Sequence, residues 1–126
     1  MRRTLEDLLA EARTRIDRPT PEEAAKSGAQ IIDIRTVEQR RADGTVPGSL
    51  WFARNVLEWR VDPESDARDE RVAPLDAPVI VMCDAGYASS LAAATLVDLG
   101  FTHAGDMDGG FQAWKAAGLP TEPLAD

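Results

Sequence analysis

Leu5, Leu8, Leu9, Ala12 and Ile16 recur at helical spacing with charged residues between them. That spacing predicts an amphipathic helix lying on the rest of the chain. Asp17 to Pro21 breaks it. A short helix is expected over Pro21 to Lys26, with Pro in its first turn, two Glu behind it and Gly28 as its stop. Gln30-Ile31-Ile32-Asp33-Ile34 changes the pattern to a short β-branched apolar run, which predicts a buried parallel strand. Thr36 to Gln39 has the Thr-x-x-Gln form of a capping box, so a helix should start at once. Pro47-Gly48 predicts a turn, Ser49 to Phe52 a second strand, and Arg54 to Arg60 a further helix.

Asp62 to Pro74 is acidic, has prolines near both ends and lacks an apolar cluster, so a mobile surface loop is expected there. Pro78-Val79-Ile80-Val81-Met82 carries the strongest strand pattern in the chain. Ala92, Thr95, Leu96 and Leu99 then follow at i, i+3, i+4 and i+7, a helix that Gly100 closes. Ala104 to Met107 reads as a short strand. Gly109-Gly110 opens a last helix carrying Phe111 and Trp114, and Gly118-Leu119-Pro120 ends it. Strands alternating with helices imply a parallel sheet covered on both faces. The chain of 126 residues divides into an N-terminal helix over 1–18 and one domain over 19–126.

Composition narrows the chemistry. Hydrophobic residues at 44% and charged residues at 29% are ordinary globular usage. One Cys and one His exclude an internal disulfide and any multi-cysteine or histidine-rich metal site. The net charge of −8 argues against nucleic acid and anionic membrane as partners. Acids at Glu6, Asp7 and Glu11 interrupt the start, which does not read as a targeting signal, and a cytoplasmic protein with a reduced thiol is expected. The charge is also unevenly placed. Every Arg lies at or before Arg71, and beyond it Lys115 is the sole cation among seven acids. An anion bound by the C-terminal half must therefore be met by backbone N–H groups or by side chains from the N-terminal half.

Cys83 ends the Val79-to-Met82 strand, and a helix is under way six residues later. In a parallel α/β sheet, ligands bind beyond the carboxyl ends of the strands. The segment Cys83-Asp84-Ala85-Gly86-Tyr87-Ala88-Ser89 is short and small enough to curl. Such a loop aims successive N–H groups at its centre, backed by the positive end of a helix dipole. That setting favours a thiolate, the reactive form of a cysteine nucleophile. The competing reading is a small buried hydrophobe.

A strand, a Cys-x-x-Gly loop and a Ser-led helix together resemble the single-domain rhodanese-like sulfurtransferases. Asp33-Ile34-Arg35 is similar to that family's Asp-x-Arg. Gly44-Thr45-Val46-Pro47-Gly48-Ser49 is similar to its Gly-x-Ile-Pro-Gly-Ala turn. Leu99-Gly100-Phe101, then Asp108-Gly109-Gly110-Phe111-x-Ala113-Trp114, resemble its closing segments. The resemblance covers about Thr20 to Pro123. It implies a central five-stranded parallel sheet flanked by helices, with Cys83 as the carrier of a persulfide. The loop departs from the family in holding no Arg or Lys, and Ser89 stands where a related phosphatase branch has Arg. That branch needs an arginine fork for its phosphate oxygens, so phosphatase activity is not expected.

The candidate site is Cys83 as nucleophile, with Asp84, Ala85, Gly86, Tyr87, Ala88 and Ser89 around the bound sulfur. Arg54 and Arg35 are candidates for the missing cation. Arg35 also reads as a structural partner of Asp33, and Arg54 as a surface residue. Ser89 reads as a helix cap or as a sulfur ligand, capping being the simpler role. His103 precedes a strand and should lie at the opposite edge of the sheet. Asp106 and Asp108 bracket a strand end but lack His or Cys partners for a metal.

The expected reaction moves a sulfane sulfur from a small sulfur-containing anion such as thiosulfate, or from a persulfide. The acceptor is cyanide or a thiol, on a small molecule or a protein. No metal or organic cofactor is required. Two other readings stay open: a non-catalytic binding module of the same fold, and a persulfide or redox sensor.

Overall fold

The computed structural model describes residues 1–125; residue 126, where the 19–126 range ends, lies outside the described residues. Among the described residues, six α-helices and four strands follow one another, strand and helix alternating from α2 on. Helix α1 (Leu5–Thr14) and α2 (Pro21–Ser27) each start with a Thr whose side chain accepts from the third residue's N–H in a capping box. Strand β1 (Gln30–Asp33) leads to α3 (Val37–Asp43), opened by the expected box of Thr36 and Gln39. Strand β2 (Leu50–Trp51) is followed by a 3₁₀ turn over Arg54–Val56 and by α4 (Leu57–Val61). Then come β3 (Val79–Met82), α5 (Ala88–Asp98), β4 (Ala104–Asp106) and α6 (Gly110–Ala116).

The strands are parallel in the order β2-β1-β3-β4. Alternation along β3 divides the core between the two faces of the sheet. Val79, Val81 and Cys83 join Leu96, Phe101 and Leu57 on one face. Ile80 and Met82 join Met107, Phe111 and Trp114 on the other. Helix α5 is apolar nearly all round because it is sandwiched between α1 and the strands β3 and β4.

Two expectations change. The sheet has four strands, not five, and the missing one survives as a single residue, Asp17, bridged to Gly105. Asp106 N–H donates to the Asp17 carbonyl at 3.0 Å and Asp108 N–H to the Pro19 carbonyl at 2.9 Å. The chain thus runs beside β4, but Pro19 has no N–H to return, which ends the ladder.

The acidic stretch Asp62 to Pro74 is also pinned rather than free. Asp69 receives the Arg71 backbone N–H at 2.9 Å and its guanidinium at 3.0 and 2.7 Å, and Arg60 at 3.2 Å. Val72 is buried in the core beneath it. The Arg71 side chain and N–H, together with Arg60, hold the Asp69 carboxyl well below the usual carboxylate range.

Candidate active site

Cys83 lies one residue past β3, on the face that packs against α5, and is 8% exposed. The loop after it curls because its carbonyls are engaged elsewhere. The Cys83 and Asp84 carbonyls accept from Phe111 N–H (2.9 Å) and Gln112 N–H (3.1 Å) at the start of α6. The Gly86 carbonyl accepts from Arg13 Nη2 (2.9 Å) and Arg18 Nη2 (3.0 Å). With these carbonyls turned outward, Gly86 N–H lies 3.2 Å from Sγ and Ser89 N–H 3.4 Å. Tyr87, the residue before α5, makes no side-chain cap, so the positive end of that helix is open toward the sulfur.

Two glycines make this close approach possible. Gly86 has φ 87°, and a Cβ there would meet the Gly109 nitrogen at 2.8 Å. Gly110 has φ 61°, and a Cβ there would sit 2.5 Å from the Cys83 carbonyl oxygen and 2.7 Å from that of Asp84.

Above Sγ is a hollow of about 290 Å³, lined by Ile34, Arg35, Thr36, Gln39, Cys83, Asp84, Ala85, Tyr87 and Ala88. Tyr87 stands at its rim, 61% exposed, with the Arg13 guanidinium 5.5 Å from its ring centre. Asp84 also accepts from Gln112 Nε2 at 2.9 Å. A larger hollow of about 610 Å³ opens elsewhere, where β3 and β4 begin, with His103, Val79 and Gly105 in its wall. His103 is thus at the opposite edge, as its place before β4 implies, and Cys83 does not line that hollow.

Arg35 lines the Cys83 hollow and also braces the fold, while its Nη1 is buried without a partner. It is 2% exposed, clamps Asp33 at 2.9 and 3.1 Å, donates to the Gly44 carbonyl at 2.8 Å and stacks 3.8 Å over Phe111. Arg54 does not join it. Its Nη1 pairs with Glu58 Oε1 at 2.9 Å, one helical turn on, and it lines an adjoining hollow with Asn55 and Trp51. The 3₁₀ turn at Arg54 sets that direction, and residue order alone did not reveal it.

Ser89 is not the cap. It is the second residue of α5, fully buried, with its oxygen 3.2 Å from Sγ. Its hydroxyl donates to Asp106 Oδ2 at 2.8 Å, as does Ser90. Asp106 is itself fully buried and paired with Arg18, whose Nε lies 2.9 Å from Oδ1. Burial pulls Arg18 down, but the hydrogen bond and charge of Asp106, with Asp108 and Cys83, more than reverse it and leave Arg18 above its ordinary value. Local sequence pattern does not join Arg18 to Asp106, which lie far apart in the chain. A signal was present: Asp106 follows Ala104 by two in a strand, so an acid occupies an inward position.

Among the described residues, no group of three or more His, Cys, Asp or Glu could hold a metal ion. Nor is any helix among them long and apolar enough to cross a membrane.

The family model for the rhodanese-like domain matches residues 11–117. The chain belongs to the rhodanese-like family. Its α/β architecture, with a parallel sheet between helices, is the fold of that family. Rhodanese-like relatives include the thiosulfate sulfurtransferase GlpE of Pseudomonas aeruginosa (strain LESB58), 36% identical over 79% of this chain and 84% of its own. GlpE of Pseudomonas putida (strain F1) is 41% identical over 72% of this chain and 74% of its own. In structure, the chain is similar to a Rhodopseudomonas palustris CGA009 protein of unknown function described as a possible tyrosine phosphatase. The TM-score is 0.88 at 34% identity, covering 97% of this chain and 96% of that one.

Proposed function

We propose that this protein is a rhodanese-type sulfurtransferase working through a Cys83 persulfide. The observation that carries the proposal is the pair of N–H groups, from Gly86 and Ser89, aimed at Sγ at 3.2 and 3.4 Å. Such donors stabilise anionic sulfur. The Cys83 thiolate attacks the outer sulfur of thiosulfate, forms the S–S bond and expels sulfite with the bonding electron pair. A persulfide donor reacts alike and expels its thiolate. The outer sulfur, now an anion, lies against the loop N–H groups. An acceptor thiolate or cyanide then attacks it, and Cys83 leaves as the thiolate. Each half-reaction balances without a metal or organic cofactor. A reducing compartment such as the cytoplasm suits a reaction that needs Cys83 free.

The relatives named thiosulfate sulfurtransferase support this donor class. The phosphatase description of the structural neighbour favours a second reading, phosphate-ester hydrolysis at the same cysteine. The side chains oppose it here. Arg13 and Arg18 meet the outward carbonyl of Gly86, and no guanidinium forks into the loop.

Intact-mass spectrometry after thiosulfate treatment tests the proposal. Cys83 should gain one sulfur atom and lose it to added cyanide or dithiothreitol, with repeated turnover. No sulfur gained, alongside steady hydrolysis of p-nitrophenyl phosphate, would replace the proposal with the phosphatase. One sulfur gained but not passed on would leave a sensor, and none gained with no hydrolysis a binding module.

A further inference from the structure

We propose that the buried Asp106–Arg18 pair is a positioning element that sets how firmly Cys83 holds its proton, acting through the Ser89 hydroxyl. The inference rests on the reading of Cys83 as nucleophile. Val81 and Asp106 are register partners on adjacent parallel strands, so their side chains leave the same face of the sheet, the face Cys83 shares. Asp106 therefore points up beneath the first turn of α5. Its Oδ2 collects both hydroxyls of that turn, from Ser89 and Ser90, at 2.8 Å each.

A serine hydroxyl has one proton. That of Ser89 is spent on Asp106, so toward Sγ its oxygen presents a lone pair and accepts the thiol S–H at 3.2 Å. Once the Sγ proton has left through the hollow to water, the same lone pair would face an anion. Rotation about the Ser89 C–O bond then turns the hydroxyl toward sulfur. Asp106 keeps Ser90 Oγ and Arg18 Nε when that happens. Ser89 is thus a two-position donor, and Asp106 competes with sulfur for it.

The other charges near Cys83 do not take that role. Asp84 is held by Gln112 at the surface side of the loop. Arg13 spends its Nη2 on the Gly86 carbonyl, and Tyr87 stands at the rim. Just past β1, Arg35 is clamped by Asp33. Asp108 is 3.5 Å from Arg18 and mostly exposed.

The test is the rate of iodoacetamide alkylation of Cys83 against pH, which needs no sulfur transfer. Failure here is therefore separate from failure of the sulfurtransferase reading. Asp106→Asn removes the competing charge, and the profile should move toward acid, with alkylation at neutral pH roughly three- to tenfold faster. Ser89→Ala removes the donor and should move it toward alkali. In the double variant, the Asp106→Asn shift should fall by more than half. No shift in Asp106→Asn, an alkaline shift, or a full shift persisting without Ser89 would each overturn the proposal. If Asp106→Asn does not fold, Ser90→Ala carries the test: Asp106 keeps Arg18, and Arg13 loses its Ser90 acceptor but keeps the Gly86 carbonyl. Asp106 then leans harder on Ser89, and alkylation at neutral pH should slow; an equal or faster rate overturns the proposal.

Discussion

Sγ of Cys83 can be met by two backbone amides only because nearby carbonyls of the same loop have partners outside it. Its chemistry is therefore a property of one atom in a built cradle, and one substitution isolates it. Cys83→Ser keeps the side-chain size but cannot form a persulfide. Sulfur transfer should fall below about one per cent of wild type, because losing a covalent nucleophile costs several powers of ten. Thermal denaturation should show the fold retained. Cys83 was legible in the sequence from its place at a strand end before a small-residue loop. The partners of its oxygen neighbour were not. Ser89 read as a cap because hydroxyls commonly open helices. Helix α5 instead begins one residue earlier, and the hydroxyl turns inward to Asp106.

At the level of elements, the loop and the start of α6 form one unit. Two backbone N–H groups of α6 hold the Cys83 and Asp84 carbonyls, and Gly110 permits the approach. Gly110→Ala would push a methyl into both oxygens at a positive φ. It should destabilise the protein by roughly 2–4 kcal/mol in urea denaturation and slow sulfur transfer in the fraction that remains folded. The Gly-Gly pair was visible in the sequence, but the carbonyls it accommodates were not. The 62–74 stretch shows the reverse case. Its composition reads as loop, yet Asp69-Glu70-Arg71 repeats the clamp of Asp33-Ile34-Arg35, with the same N–H and fork bonds. Asp69 is depressed in the folded state, so its contribution is complete above the unfolded value of about 3.9. It is lost as pH falls from there through the folded value. Asp69→Asn should therefore lower Tm most at neutral pH. The difference from wild type should shrink as pH falls below about 4, read by circular dichroism melts. An equal difference at pH 7 and in strong acid would show that Asp69 acts through packing alone.

Across the whole molecule, the charge map carried an inference that the structure meets in an unexpected place. With no Arg beyond Arg71, cations at the Cys83 loop had to come from the N-terminal half. They do, but from Arg13 on α1 and Arg18 just after it, not from Arg54. The N-terminal helix is thus tied to the site rather than merely laid on the domain. Arg13→Ala loses bonds to the Gly86 carbonyl and to Ser90 Oγ. Thermal melts should report about 1–2 kcal/mol of lost stability, and sulfur transfer should drop several-fold as the loop loosens. The sequence by itself determined the alternation of strands and helices, the parallel sheet, the Thr36 capping box and the place of Cys83 just past a strand end. These follow from local period, local caps and the position of one residue at a strand end, which neighbours in the chain decide. Tertiary structure alone decided the reduction of the fifth strand to Asp17, the turning of Arg54 to Glu58, and the meeting of Arg18, Asp106 and Ser89. Those residues lie 17 or more positions apart in sequence. Only strand register and the docking of α1 and α5 bring them together, because a buried carboxylate is stable only where a guanidinium and hydroxyls converge on it.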